Sequence, residues 1–179
     1  MSVRIIYFVH GTTVDNEAHK AAGWNDVHLS QKGIERVKAL RENININEID
    51  IVISSDLTRA VDTADYVFKN EKKILHDSRI RECNYGVLNG EDSSLVIYEN
   101  HIKEAFEEGE SLLDVEARIR DFCNYLKENF DGKTVALVAH KAPQLALEVI
   151  TKGKTWDEAI ETDWRKTKAW QPGWEYELN

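Results

Sequence analysis

Apolar residues fall along this chain in two kinds of pattern, short dense runs and spaced stripes, and the two alternate. Val3 to Val9 (VRIIYFV) is β-branched, aromatic and almost continuously apolar, as a strand buried on both faces requires, and it ends at His10-Gly11. Ile51-Val52-Ile53 and Thr134 to Ala139 (TVALVA) read the same way, and they run into Ser54-Ser55-Asp56 and His140. Between the runs, Ser30 can cap a helix with Ile34, Val37 and Leu40 on its inner face. Leu57, Ala60, Val61, Ala64, Val67 and Phe68 form a second helical stripe, with Arg59 near its start. Val115, Ile119, Phe122 and Leu126 form a third, ended by Asp131-Gly132, and Pro143 suits the first turn of a helix through Leu145, Leu147, Val149 and Ile150. Near the C-terminus, Lys168-Ala169-Trp170 and Trp174 to Leu178 flank Gln171-Pro172-Gly173, a turn signal that predicts a closing hairpin or an edge strand.

Strands alternating with helices predict an α/β fold, a three-layer α/β/α sandwich with a largely parallel central sheet. In such sheets ligands bind beyond the carboxyl ends of the strands. His10, Ser54-Ser55-Asp56 and His140 all fall at such ends and are expected to converge on one pocket. The 179 residues, 42% of them hydrophobic, suffice for one core, so a single domain over residues 1–179 is expected, without repeats or linkers.

Charge narrows the partners. A net charge of -9 with 31% charged residues predicts an acidic surface that does not favour nucleic acid or anionic membranes, so any phosphate site must be a local basic pocket. The acidic stretch around Glu91, Asp92, Glu99, Glu104, Glu107 and Glu108 reads as a solvated face, because it has no convincing metal-ligand spacing. No apolar run approaches the roughly 20 residues of a membrane span, and no signal sequence precedes the first strand, so the cytoplasm is the expected compartment. Cys83 and Cys123 lack CxxC or Cys/His spacing and are expected as free thiols.

His10 stands first among the candidate chemical groups. Its ring would project at the sheet edge while Gly11 lets the backbone approach a ligand closely. A neutral imidazole serves as nucleophile, base or ligand, whereas an isolated strand-end histidine is more often satisfied by backbone. Its company changes the balance: His10-Gly11-Thr12-Thr13 with Asn16; Gly23-Trp24-Asn25-Asp26 through Leu29-Ser30-Gln31-Lys32-Gly33; Ser54-Ser55-Asp56-Leu57-Thr58-Arg59-Ala60 with Thr63-Ala64; Arg81-Glu82 before Tyr85-Gly86; Gly109-Glu110-Ser111; and Ala139-His140. In this order and spacing the segments resemble the histidine phosphatase superfamily, which includes the cofactor-dependent phosphoglycerate mutases.

That resemblance implies a phosphoglycerate mutase-like fold and a small phosphorylated substrate. It makes His10 the nucleophile that takes up the phosphoryl group, Glu82 the general acid, and Arg59 and His140 phosphate ligands, with Asn16 a hydrogen-bond donor in the same pocket. Arg59 would present a planar fork to phosphate oxygens, or else cover apolar surface on its helix. Glu82 would need to hold a proton at neutral pH, and could instead pair with Arg81. The Thr13 hydroxyl is either a further donor or a turn cap, and Trp24 with Asn25-Asp26 either lines the substrate entrance or packs as an ordinary turn.

Two departures mark this chain. The family pattern reads Arg-His-Gly where Val9-His10-Gly11 stands here, by substitution or by loss of one residue, so Lys141, Arg79 or Arg81 would have to supply the missing charge. His140-Lys141-Ala142-Pro143-Gln144 also replaces the small glycine-rich residues of many relatives. The implied activity is hydrolysis of a phosphomonoester through a phosphohistidine on His10, with no metal and no cofactor. A phosphate-binding protein of weak or no activity is the main alternative. A phosphoglycerate mutase ranks third, because the short chain leaves little room for an extended cap.

Overall fold

The structure is a computed structural model that describes residues 2–169 and 171–179. Its elements run β1 (Val3–Val9), α1 (Val14–Glu17), α2 (Gln31–Arg41), β2 (Ile51–Ser54), α3 (Thr58–Phe68), β3 (Ile74–His76), α4 (Leu112–Phe130), β4 (Thr134–Ala139), α5 (Lys141–Lys152), α6 (Trp156–Glu161), α7 (Trp164–Thr167) and β5 (Trp174–Leu178), with short 3-10 turns between them. The five strands form one sheet in the order β3-β2-β4-β1-β5. β1 pairs in parallel with β4 from Arg4↔Thr134 to Val9↔Ala139, and β2 pairs in parallel with both β4 and β3. The protein is thus an α/β sandwich with a mostly parallel sheet.

Alternation along β1 explains the layers. Val3, Ile5 and Tyr7 pack with the inner faces of α4, α5 and α6, whereas Ile6 and Phe8 pack with α2 and α3. Both faces are covered, which is why the strand reads as one apolar run.

Four details differ from the pattern-based expectation. Ser111 and Asp114 form a reciprocal capping box that starts α4 at Leu112, three residues ahead of Val115. Leu57 caps α3 from outside, and the helix begins at Thr58. β3 and α6 were not foreseen, the first being only three residues long, although the Thr155/Glu158 capping box of α6 is legible in the sequence. The C-terminus makes no hairpin through Lys168-Ala169, because Lys168 closes α7 in a left-handed conformation (φ 56). β5 lies antiparallel against β1 at the sheet edge, which is the edge strand that the Gln171-Pro172-Gly173 signal offered as the other reading, while Trp170 lies outside the described residues. Cys83 and Cys123 are buried and unbridged. Among the described residues no helix is long and apolar enough to cross a membrane.

Candidate active site

The adjacent parallel strands β1 and β4 deliver His10 and His140 side by side beyond their carboxyl ends, with ring centroids 5.1 Å apart. The His10 backbone N–H continues the ladder to the Ala139 carbonyl at 3.0 Å. Tyr7 fixes the second histidine, since its hydroxyl accepts from the His140 N–H at 3.0 Å and donates to the His140 carbonyl at 2.7 Å. In the sequence Tyr7 is one position of the apolar run VRIIYFV. Its hydroxyl makes it a clamp on the site as well.

The Nδ1–H of His10 points to the Gly11 carbonyl at 2.8 Å, a contact that selects the tautomer with an unprotonated Nε2. Burial, then the nearby Arg59 guanidinium, pushes its pKa down to about 3, and Arg165 adds to the same trend. The ring is therefore neutral at pH 7. His140 is fully buried, and burial together with Arg59 and His10 holds its pKa well below the ordinary value. Among the described residues neither of its ring nitrogens has a hydrogen-bond partner. A buried polar group left unpaired costs about 1–3 kcal/mol, so this ring is built for a partner the chain does not supply.

Arg59 reaches the same place from the first turn of α3. It is 2% exposed, and its guanidinium donates only to carbonyls, Gly23 O at 2.7 Å and Asn25 O at 3.1 Å. Among the described residues it has no carboxylate partner, which is unusual for a buried charge. Thr63 ties this helix to the histidine loop, because its hydroxyl accepts from the Gly11 N–H at 2.9 Å and donates to the Arg59 carbonyl at 2.7 Å.

Glu82 closes the site over the first turn of α5. Its Oε1 accepts from Cys83 N and Ala142 N, each at 2.9 Å, and from the Tyr98 hydroxyl at 3.4 Å, while Oε2 accepts from Lys141 N at 3.2 Å. The positive end of the α5 dipole thus faces the carboxyl group.

His10, Arg59 and Glu82 line one cleft of about 370 Å³, with Asn16, Lys20, Lys141 and Arg165 on its walls. Four cationic side chains face one carboxylate there, although the chain as a whole is strongly acidic. The charge balance of the cleft therefore suits an anion. Asn16 spends its Oδ1 on the Thr13 N–H at 3.0 Å and keeps its amide nitrogen free of protein partners among the described residues.

Several sequence-predicted roles change. The Thr13 hydroxyl is not in the cleft: it accepts from Asn16 N at 3.0 Å and caps α1. Gly11 is required by packing rather than by ligand approach, since a Cβ there would meet Val37 Cγ2 at 2.5 Å and its N–H is spent on Thr63. Ser54-Ser55-Asp56 does not join the histidines; Ser54 bonds His76 Nδ1 at 2.8 Å and Asp56 pairs with Arg81 at 2.6 Å. Arg79 is held by Asp77 and Asp121, so neither it nor Arg81 reaches the cleft, whereas Lys141 does. Trp24 braces the wall by donating to the Glu82 carbonyl at 2.7 Å, and Asp26 caps α3 through Thr58 N. Arg165 was missed altogether. Among the described residues no group of three or more His, Cys, Asp or Glu is placed to hold a metal ion.

The model for the histidine phosphatase superfamily (branch 1) matches residues 6–153. Phosphoserine phosphatase 1 of Hydrogenobacter thermophilus is 27% identical over 157 residues, 81% of this chain and 74% of the relative. A 2,3-bisphosphoglycerate-dependent phosphoglycerate mutase of Staphylococcus aureus is 33% identical, but over only 49% of this chain and 41% of its own length. Among solved structures, a mycobacterial glucosyl-3-phosphoglycerate phosphatase in complex with VO3 superposes with a TM-score of 0.79 at 26% identity, covering 88% of this chain and 86% of that one.

Proposed function

Because the chain belongs to the histidine phosphatase superfamily, we propose that it is a phosphatase that hydrolyses a small phosphomonoester through a phosphohistidine on His10. The observation that carries this reading is the pairing of a neutral His10, its Nε2 free, with two buried groups, the His140 ring that has no hydrogen-bond partner and the Arg59 guanidinium that has no carboxylate partner among the described residues.

In this mechanism the substrate phosphoryl group sits between those groups, which donate to its non-bridging oxygens as charge develops. His10 Nε2 forms a bond to phosphorus while the bond to the leaving oxygen breaks, and the Glu82 carboxyl gives its proton to that oxygen. Water then attacks the phosphohistidine and returns a proton to Glu82, releasing inorganic phosphate and neutral His10. The nucleophile is an imidazole, so the reaction needs no metal. The extent of the match to Phosphoserine phosphatase 1, set beside the partial match to the mutase, favours hydrolysis over mutase chemistry.

The test is a phosphatase screen of wild type beside His10→Ala with chelator present, combined with acid- and base-quench trapping of the labelled enzyme. Turnover that survives chelation, falls at least about 10³-fold in His10→Ala and leaves an acid-labile, base-stable phosphoenzyme is expected. Phosphate binding without turnover would leave a phosphate-binding protein. Activity that vanishes in chelator and returns with added metal would overturn the mechanism.

A further inference from the structure

The cleft contains a cation that comes from outside the segment matched by the family model, which ends at residue 153. Arg165 lies on α7, in the first turn after Asp163, and lines the cleft with His10 and Arg59. The residue directly before His10 is Val9, which packs toward the α4/α5 side of the sheet and brings no charge. Arg165 approaches from that same side, bonded to Gln144 of α5. Its charge already reaches the nucleophile, since it helps to hold His10 neutral.

An arginine on a four-residue helix would ordinarily be a loose surface side chain. This one is held on every side. Asp163, 3% exposed, accepts from Arg165 Nη1 at 2.9 Å and from its backbone N–H at 3.1 Å. The Gln144 Oε1, itself buried, accepts from Nη2 at 3.2 Å and from Trp164 Nε1 at 3.1 Å. The guanidinium lies 4.4 Å from the Trp164 ring centroid, and that ring is stacked on Trp174 of β5 at 4.8 Å. Asp163 also draws Lys141 Nζ to 3.6 Å, so one buried carboxylate positions two cations of the cleft wall. A guanidinium fixed in this way keeps its remaining N–H groups for a ligand and loses little freedom on binding one.

We propose that Arg165 is a catalytic residue: it is the second guanidinium on the transferring phosphoryl group, facing Arg59 across it, with α7 as the element that delivers it. The inference rests on the phosphatase reading for its effect on turnover, but not for its effect on anion binding. It makes the segment from Asp163 to Trp174 part of the active site rather than a structural appendix, and it places a charge where Val9 leaves none.

The experiment titrates inorganic phosphate and orthovanadate calorimetrically into wild type, Arg165→Ala, Arg165→Lys and the neighbouring control Lys166→Ala, whose native lysine pairs with Glu99 outside the cleft. Turnover of p-nitrophenyl phosphate and thermal melts are measured on the same proteins. Arg165→Ala should weaken phosphate binding at least about tenfold and slow turnover about 10²-fold. Arg165→Lys, which keeps charge but loses the fork, should recover only part of this, and Lys166→Ala should match wild type. Low-millimolar guanidinium should restore turnover to Arg165→Ala and to none of the others, an effect no purely structural role produces. Should Arg165→Ala melt early, Arg165→Lys and the guanidinium rescue still decide the matter. Wild-type affinity and turnover in Arg165→Ala would overturn the inference and leave the phosphatase reading standing. Loss of phosphate binding in Arg165→Ala, with no turnover even in wild type, would leave Arg165 an anion ligand and overturn both its catalytic role and the phosphatase reading.

Discussion

The two ends of the β1/β4 strand pair are built from similar chemistry and treat charge in opposite ways. At the amino ends, Arg4 is held by Glu48 at 2.9 Å and Glu175 at 2.8 Å, and Asp50 accepts from Thr134 N at 2.8 Å with Lys133 at 3.6 Å. These groups are partly exposed, and water alone could have satisfied them. At the carboxyl ends, among the described residues, Arg59 is buried with only carbonyl oxygens accepting from it, and the His140 ring is buried with neither nitrogen hydrogen-bonded. The fold therefore gives Arg4 two carboxylates where pairing is worth little, and among the described residues leaves Arg59 without a carboxylate and the His140 ring without a hydrogen bond where that costs most. Stability alone selects the reverse, so the carboxyl ends are shaped for an anion that arrives from outside.

The comparison breaks first at Arg59. Arg59→Met keeps the length and apolar stem while removing a buried charge that, among the described residues, is hydrogen-bonded to no carboxylate. It should lower phosphate affinity and turnover by about 10²–10³-fold while leaving the melting temperature level or higher. Calorimetric titration and thermal melts measure the two effects separately. A variant that binds phosphate normally but melts early would assign Arg59 to the fold and dissolve the contrast between the two ends.

Acid sharpens the same contrast through stability. Unfolded histidine titrates near 6.5, whereas folded His10 is held down to about 3 and His140 is depressed by burial. The native state stays unprotonated where the unfolded chain takes up protons. The stabilisation from these two rings is complete above about pH 6.5 and is lost as pH falls from there toward about 3. Paired carboxylates such as Asp56, lowered by Arg81, and Asp114, lowered by its bonds to Ser111, come into play only below their ordinary value near 3.8. The fall between pH 6.5 and pH 5 therefore belongs to the histidines. Chemical denaturation across that interval should show a slope that flattens in His140→Gln and again in the double variant with His10→Gln. A slope untouched by either change would place the proton uptake elsewhere.

How much of this was legible in the sequence follows from the range of each interaction. The runs ending at His10 and His140, and the stripe carrying Arg59, are local periodicities, so four of the strands, the four long helices and three of the site groups could be read directly. Thr13 and Gly11 were in plain view, but their roles depend on Asn16, Val37 and Thr63, and no local spacing reveals which of these approaches. β3 is too short to show a period. Nothing local in Asp163-Trp164-Arg165-Lys166 marks a site, because the features that fix Arg165 are Gln144 on another helix and a stack on Trp174. Sequence patterns report which face an element buries. They do not report which distant loop brings a charge to it.

The smallest effect is expected at the paired end, and it completes the comparison because it must be nearly silent. Arg4 bridges Glu48 and Glu175 with its side chain 39% exposed, and its carboxylate partners are 38% and 65% exposed. Pairs this wet gain little Coulomb energy over water and spend side-chain entropy to hold their geometry. Arg4→Ala should therefore cost no more than about 1 kcal/mol in low salt, less as salt screens the pair, and nothing in turnover. Urea denaturation at two salt concentrations, with the phosphatase assay alongside, measures all three. The contrast with Arg59→Met is then one of kind, since the paired arginine affects stability slightly and function not at all, whereas the unpaired one does the opposite. A large loss of turnover in Arg4→Ala, at the far ends of the same two strands, would mean that strand register transmits strain to His10 and His140, and the two ends could no longer be treated as independent.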